Sequence, residues 1–273
     1  MSILESEFIE RSALGDLHQA AQSQDIEEAG VHSQTLNSAV VSMGCNLPAS
    51  AIVLNRTLGL GLGVETSKEE VEAVVSAYAE HDINRYFIQV HPQHEPEQLE
   101  GWLADSGLTA ARAWQKFSRG RDPVSESKSD LVVREIGAEY GTAFAQIVYN
   151  AFDLGEKSVN WLSRLPARAD WHVFMSFCDG SPAGVGALFM KDGLGWTDFG
   201  ATAPEFRLRG SQSILMQARL TFALDMGCQR IYTCTGVSTP GDPQHSYSNI
   251  LEAGFVEEHV TANYQPELAT NES

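Results

Sequence analysis

Apolar positions along this chain change period repeatedly, from helical spacing to strand alternation and back. Over 5–22, Phe8, Ile9, Leu14 and Leu17 recur at helical intervals and predict an amphipathic helix with those four as its buried stripe. Residues 31–50 mix β-branched and turn residues and fit neither period. "AIVLNRTLGLGL" predicts a strand. "SKEEVEAVVSAYAEH" predicts a helix opened by a capping box of Ser67 and Glu70, with Val71, Val74, Val75 and Tyr78 at helical spacing. A strand ("NRYFIQV"), a helix ended by Gly107 ("EPEQLEGWLADSG") and another strand ("AARAWQKFSR") complete this part. "GRDPVSESKSD", 120–130, is polar and predicts a linker.

Beyond 130 the pattern restarts. "LVVREI" predicts a strand, and "EYGTAFAQIVYNAF" and "EKSVNWLSRL" predict helices. "WHVFMSFCDGSPAGVGALFM" reads as two strands around the hairpin signal Asp179-Gly180, and "GWTDFGAT" as a third. A helix follows over 209–226, with Ile214, Leu215, Ala218, Phe222 and Met226 as its expected core face and Gly227 as its stop. "RIYTCT" is a strand, "SYSNILEAG" a short helix and "FVEEHVTANY" a last strand, and the tail 267–273 is expected to fray. The two parts end alike, with "WLADSGL" in one where "NILEAGF" stands in the other, which points to an internal duplication. The expected class is α/β: two mixed-sheet domains flanked by helices, 1–119 and 131–273, joined by 120–130.

The 273 residues suit two such units. A net charge of −18 repels phosphate backbones and anionic membranes, so neither nucleic acid nor membrane is expected as a partner. Cys45, Cys178, Cys228 and Cys234 form no C-x-x-C pair, which argues against a zinc site and for reduced thiols in the cytoplasm. Glu5, Glu7 and Glu10 stand where a secretion signal would carry positive charge. His91 and His94 flank Pro92 without a second ligand pair, so no metal is expected there.

Against that acidic background, "PEFRLRGSQSILMQARL" gathers positive charge at a turn before a helix. The first turn of a helix leaves about four amides without partners, and its dipole favours an anion there. Gly210 offers a bare backbone, and Ser211, Gln212 and Ser213 add no competing carboxylate. "GLGLGVETSKEE" also places glycines before a helix, but Glu65, Glu69 and Glu70 crowd that start and its spacing fails the dinucleotide pattern.

"TAPEFRLRGSQSILM" resembles the acetyl-CoA pyrophosphate loop of the GNAT superfamily of N-acyltransferases, Arg/Gln-x-x-Gly-x-Gly/Ala after a strand. Arg207 and Gly210 take the first two positions, and Gln212 departs at the third. "SYSNILEAGF" is similar to the family's last block, and the likeness covers about 131–264. The resemblance implies two GNAT-like domains, the first having lost its loop. It also implies an N-acyltransferase with acetyl-CoA as co-substrate and an amine as acceptor. Pyrophosphate would meet Arg207, Leu208, Arg209, Gly210, Ser211 and Gln212, and pantetheine would meet Ala201, Thr202, Ala203, Ser246 and Asn249.

Two catalytic candidates follow. Asp198 shares strand parity with Gly200 and Thr202, and is read as the base or anchor for the amine, against a plain polar residue on a sheet face. Many family members place a tyrosine acid four residues before the glycine of the Gly-Phe pair. Ile250 stands there, so Tyr247 is read either as a substitute acid or as packing. Arg219 is expected to be a surface charge. Trp161 and Trp171 are expected to wall an acceptor pocket or merely pack. The missing tyrosine keeps open a noncatalytic acyl-CoA-binding or regulatory protein of this kind as the alternative.

Overall fold

The computed structural model describes residues 2–241 and 244–267. The first part supplies α1 (Ser2–Gln19), α2 (Ser23–Ala29), β1 (Val31–Leu36), β2 (Ala39–Gly44), β3 (Arg56–Leu58), α3 (Lys68–Ala79), β4 (Phe87–Val90), α4 (Leu99–Asp105) and β5 (Leu108–Arg119). The second supplies β6 (Val132–Ile136), α5 (Gly141–Phe152), α6 (Val159–Leu162), β7 (Trp171–Cys178), β8 (Ser181–Lys191), β9 (Leu194–Thr202), α7 (Ser211–Asp225), β10 (Arg230–Gly236), α8 (His245–Glu252) and β11 (Val256–Pro266). The expected α/β class with helix-flanked mixed sheet is what the chain adopts. The expected tail lies outside the described residues apart from Glu267. No helix among the described residues is long and apolar enough to cross a membrane.

Local chemistry places several boundaries. Ser67 Oγ accepts from Glu70 N at 3.3 Å, and the Glu70 carboxylate accepts from Ser67 N at 3.1 Å, so α3 starts at its predicted capping box. Asp179 and Gly180 both take positive φ, the geometry of a tight β7–β8 hairpin. The strand predicted from "AIVLNRTLGLGL" shrinks to β3: Leu54 N and Asn55 N both donate to the Ala51 carbonyl in a turn before it, and Gly59 and Gly61 turn to positive φ after it.

All eleven strands share one sheet, in the order β1-β2-β3-β4-β11-β5-β10-β9-β8-β7-β6. Only β3–β4 and β9–β10 are parallel. The last strand of each part lies inside the other: β11 runs between β4 and β5, and β5 runs between β11 and β10. The main core accordingly mixes both parts, packing Ile9, Leu14, Leu17 and Leu54 with Phe144, Trp161, Trp196 and Phe199. Phe8 departs from the expected α1 stripe: it is 37% exposed, while Glu7 and Glu10 turn inward.

Glu10 is fully buried between two cations. Its carboxylate accepts from Arg56 Nη1 at 2.7 Å and is also paired with Lys116 Nζ. Burial alone would raise the Glu10 pKa, but the charges of Lys116 and Arg56 outweigh it and hold the carboxyl below its ordinary range. This ion triad joins α1 to β3 and β5. Breaking one partner of such a buried set is costly, because it strands the others. Glu10→Gln should lower stability in urea unfolding by about 3–5 kcal/mol. Lys68→Ala, which removes an exposed pair with Asp105, should cost less than about 1 kcal/mol. Equal effects would show that the buried triad does not anchor α1.

Candidate active site

The candidate site opens where two parallel strands part. β9 and β10 pair from Leu194–Arg230 to Trp196–Tyr232 and then diverge. Thr233 Oγ1 still reaches the Thr197 carbonyl at 3.1 Å. Beyond that point lies a cleft of about 180 Å³, walled by β9, β10, α7 and α8. Ser246 and Asn249 face it, as does the buried Ile250.

A bulge shapes the β9 wall. Against β8, Ala201 pairs with Val185 but Asp198 pairs with Ala187, so one extra residue is absorbed at Phe199, whose φ is 47°. Positive φ is strained for an aromatic residue. It is held here by edge contacts to Phe144 and Phe152 and by the Phe199 amide, which donates to Asp198 Oδ1 at 2.7 Å. The bulge overturns the expected parity. Paired residues share a face, so Asp198 lies with Ala201, on the side opposite Thr202. Trp196 Nε1 donates to Asp198 Oδ2 at 3.1 Å. Burial raises the Asp198 pKa, and the Arg56 charge offsets this only in part.

Asp198, Phe199, Phe152, Cys234 and Thr235 also line a second cavity, of about 210 Å³, so the cleft and this cavity share a wall. Both parts of the chain build it. Ala13, Leu14 and Leu17 come from α1, Leu54 and Arg56 from the β3 region, Trp114 from β5, and Trp171 and Trp196 from the second part. Trp161 does not reach it: it is buried, with Nε1 donating to the Leu17 carbonyl at 2.7 Å. Arg56, Trp196 and Cys234 escaped sequence reading; the one available signal was a lone charge inside the apolar run "AIVLNRTLGL".

At the other end of the cleft, α7 begins without a side-chain cap. Its first internal acceptor bond joins Ile214 N to Gly210 O at 3.1 Å, and the amides of Ser211, Gln212 and Ser213 precede it. Gly210 has φ 76°, and a Cβ there would lie 2.9 Å from the Lys128 carbonyl. The glycine is thus required by the fold itself. Leu208, also at positive φ, is 99% exposed. The two arginines differ. Arg209 is paired with Asp130 and donates to Cys178 Sγ at 3.0 Å, whereas Arg207 is exposed and lines a groove of about 570 Å³ with Thr202, Ala203 and α5. The segment 120–130 lies along this region, with Ser129 Oγ donating to the Arg209 carbonyl and Ser127 N to Gln217.

Gln212 turns inward: its Nε2 donates to the Ala201 carbonyl at 2.8 Å and to Thr202 Oγ1 at 2.9 Å. The Ala203 amide donates to the Ala183 carbonyl, and Ser211 Oγ is buried against Ser176 Oγ. Tyr247 is not brought to the cleft. Its hydroxyl donates to Glu257 and its ring packs edge-on against Phe117, and burial followed by the Glu257 contact pushes its pKa up to about 12.

Arg219 is not the expected surface charge. It is 2% exposed and donates to the carbonyls of Leu215, Ala187 and Asp198. Burial depresses its pKa to about 10. The buried face of α7 is Ser211, Leu215, Met216, Arg219, Leu220 and Ala223, while Met226 is 60% exposed. Of the predicted stripe, Leu215 lies on this face; the rest was rotated away because an arginine and a serine occupy it.

Glu7, His91 and His259 also come together, all buried, with one potential ligand atom from each within 4.8 Å of the others. Gln93 N donates to His91 Nδ1 at 3.0 Å. In neutral His91 this puts the ring proton on Nε2, so the ring offers the group an N–H and not a lone pair.

No family model matches the sequence, and no curated protein does. Solved structures do share the fold. A GCN5-related N-acetyltransferase from Kribbella flavida superposes with a TM-score of 0.63 at 17% identity, over 93% of this chain and 96% of that one. One from Sphaerobacter thermophilus gives 0.58 at 14%, over 85% and 78%. A tandem GNAT protein from the clavulanic acid biosynthesis pathway gives 0.52 at 12%, over 77% and 73%.

Removing Arg219 should take a donor from the Ala187 and Asp198 carbonyls and leave a void beside the cleft. Arg219→Ala should therefore lower stability by about 2–4 kcal/mol in urea unfolding, a structural loss and not a change of surface charge. A loss under about 0.5 kcal/mol, the usual range for surface substitutions, would contradict the buried role.

Proposed function

We propose that this chain, which has the fold of the tandem GNAT N-acetyltransferases, moves an acyl group from acetyl-CoA to an amine. One observation carries the reading: a cleft between parted strands runs beside an uncapped helix start and shares a wall with a cavity holding the half-buried Asp198 carboxylate. Residues 131–273 form the acyl-CoA-binding unit in this reading, and 1–119 supplies part of the acceptor wall. The amides of Ser211, Gln212 and Ser213, with Arg207 and the 208–210 backbone, hold the pyrophosphate. Arg209 serves mainly to tie the loop to Asp130. Pantetheine runs along 201–203 and past Ser246 and Asn249, with Gln212 moving off the Ala201 carbonyl to admit it.

Asp198 takes a proton from the bound ammonium. The neutral amine then attacks the thioester carbonyl, whose oxygen is polarised by a backbone amide of β9. Collapse forms the amide and expels the CoA thiolate, which picks up the proton that the new amide nitrogen sheds. A raised pKa makes Asp198 a stronger base than an exposed aspartate. A second reading, acyl-CoA binding without turnover, draws on Tyr247 being turned away to Glu257. CoA release measured against a panel of amines separates the two, since binding with no release for any amine favours the second.

Asp198→Asn should lower kcat/KM by roughly 10²–10⁴-fold while sparing acetyl-CoA affinity. A base works only when deprotonated, so wild-type kcat/KM should fall as pH drops through the Asp198 pKa, which burial holds above the ordinary aspartate range. The asparagine variant should lose that acid limb. An unchanged rate at every pH would remove Asp198 from the mechanism.

The pyrophosphate site calls for a variant that spares the fold, and Gly210 cannot be changed without strain. Ser213→Glu adds a carboxylate in the first turn of α7, which favours the helix but opposes a phosphate. Its melting temperature should hold while acetyl-CoA affinity drops at least about tenfold, the equivalent of roughly 1.4 kcal/mol. Arg207→Ala should weaken binding by roughly 1.5–3 kcal/mol. Free pantetheine should be indifferent to both changes. Calorimetry should find one site per chain, because Glu70 already caps the start of α3. Undiminished CoA binding in both variants would place the cofactor elsewhere.

A further inference from the structure

The cavity beside Asp198 differs from the rest of the site in its lining. Three of the five tryptophans in the chain face it, Trp114, Trp171 and Trp196, joined by Phe152 and Phe199. Each tryptophan is fixed in place. Trp196 Nε1 donates to Asp198, and Trp171 Nε1 donates to Asp16 Oδ1 at 3.1 Å, itself gripped by Arg168. Arg56 lies over the Trp114 ring at 5.3 Å. A wall of immobile rings binds flat apolar groups at little entropic cost.

Its charges are few, and one is already committed. Asp198 and Arg56 are the charged groups that line it. Arg56 gives Nη1 to Glu10 at 2.7 Å, its Nε is buried, and its charge already faces both Glu10 and Asp198, so a substrate carboxylate would be a third anion around it. Asp198 has only neutral N–H donors on its oxygens and can receive a cation. Size narrows the choice further. A cavity of about 150 Å³ holds one benzene, so about 210 Å³ holds one aromatic ring with a short arm. A sugar antibiotic or a folded protein terminus does not fit.

We infer that the acceptor is a small arylalkylamine, its ring among Trp114, Trp171 and Trp196 and its amino group on Asp198. This rests on the acyl-transfer reading and gives it a substrate class. The amine is apolar apart from its nitrogen, and the carboxylated analogue, an aromatic amino acid, is disfavoured because the Arg56 charge is already balanced by Glu10 and Asp198. The net charge of −18 draws such cations toward the protein.

The test compares 2-phenylethylamine, ethylamine, phenylalanine and glucosamine as acceptors by CoA release from acetyl-CoA. The kcat/KM for 2-phenylethylamine should exceed each of the others by at least about 100-fold, in keeping with about fourfold per buried methylene. Intrinsic tryptophan fluorescence, titrated with 2-phenylethylamine, reports binding without turnover. Ala13→Leu, which fills the cavity from α1, should cut the ratio of 2-phenylethylamine to ethylamine turnover at least tenfold. Turnover of ethylamine or glucosamine as good as that of 2-phenylethylamine would overturn the acceptor class and leave acyl transfer standing. Saturable quenching by 2-phenylethylamine with no CoA release from any amine would uphold the pocket and sink acyl transfer. The absence of both quenching and turnover with 2-phenylethylamine would overturn the inference outright, whether or not Ala13→Leu folds.

Discussion

The parting of β9 from β10 governs the rest of this molecule. Strand backbone that loses its neighbour leaves carbonyls and amides that must find partners. Three side chains take over the work of the missing ladder. Thr233 reaches the Thr197 carbonyl, Arg219 the Asp198 carbonyl, and Gln212 the Ala201 carbonyl. Two of the three come from α7, so the helix that presents its amides outward also props the cleft open inward. That double duty explains an arginine on the buried face of α7, among Leu215, Met216, Leu220 and Ala223. It also makes Gln212 a movable piece: a ligand with amide groups can replace a side-chain amide at the Ala201 carbonyl at little net cost.

Exchange of the final strands sets the second constraint. With β5 placed between β10 and β11, the first part of the chain lies directly beside the parted strands. Trp114 on β5 and Arg56 on β3 thereby enter the same cavity as Trp196 and Asp198. The Glu10 triad fixes α1 across this seam, and α1 closes the cavity with Ala13, Leu14 and Leu17. In the first part the start of α3 is closed to an anion by its own capping box, yet without this part the cavity would lie open to water.

Much of this was legible because its causes are local. A capping box, an Asp-Gly hairpin and a glycine turn before a helix each act within a few residues, so the boundaries of α3, the β7–β8 turn and α7 could be read directly. Illegible features depend on distant partners. The Phe199 bulge arises from register against β8 and packing against α5, and without it the parity of Asp198 comes out inverted. Arg219 looks like a surface charge until the carbonyls of two strands are placed around it. Tyr247 looked available until β11 brought Glu257 to its hydroxyl. The pairing of Arg56 and Lys116 exists only because α1 lays Glu10 across them from a distant part of the sequence.

The likeness between the two parts sharpens the point about chemistry. Both place a helix after a glycine-bearing turn that follows a strand. In the first, Thr66 and Ser67 turn the Glu70 carboxylate back onto the helix start, and the amides there are satisfied from within. In the second, Ser211, Gln212 and Ser213 supply no carboxylate, and the two polar side chains nearest the start point elsewhere, Gln212 to β9 and Ser211 to Ser176. The dipole of α7 is therefore left without a counter-charge from its own side chains, in a protein whose net charge is −18. An acidic surface would ordinarily keep anions away, so an anionic ligand gains most where the local field reverses sign. Arg207, exposed at the mouth of that start, is placed where such a reversal matters.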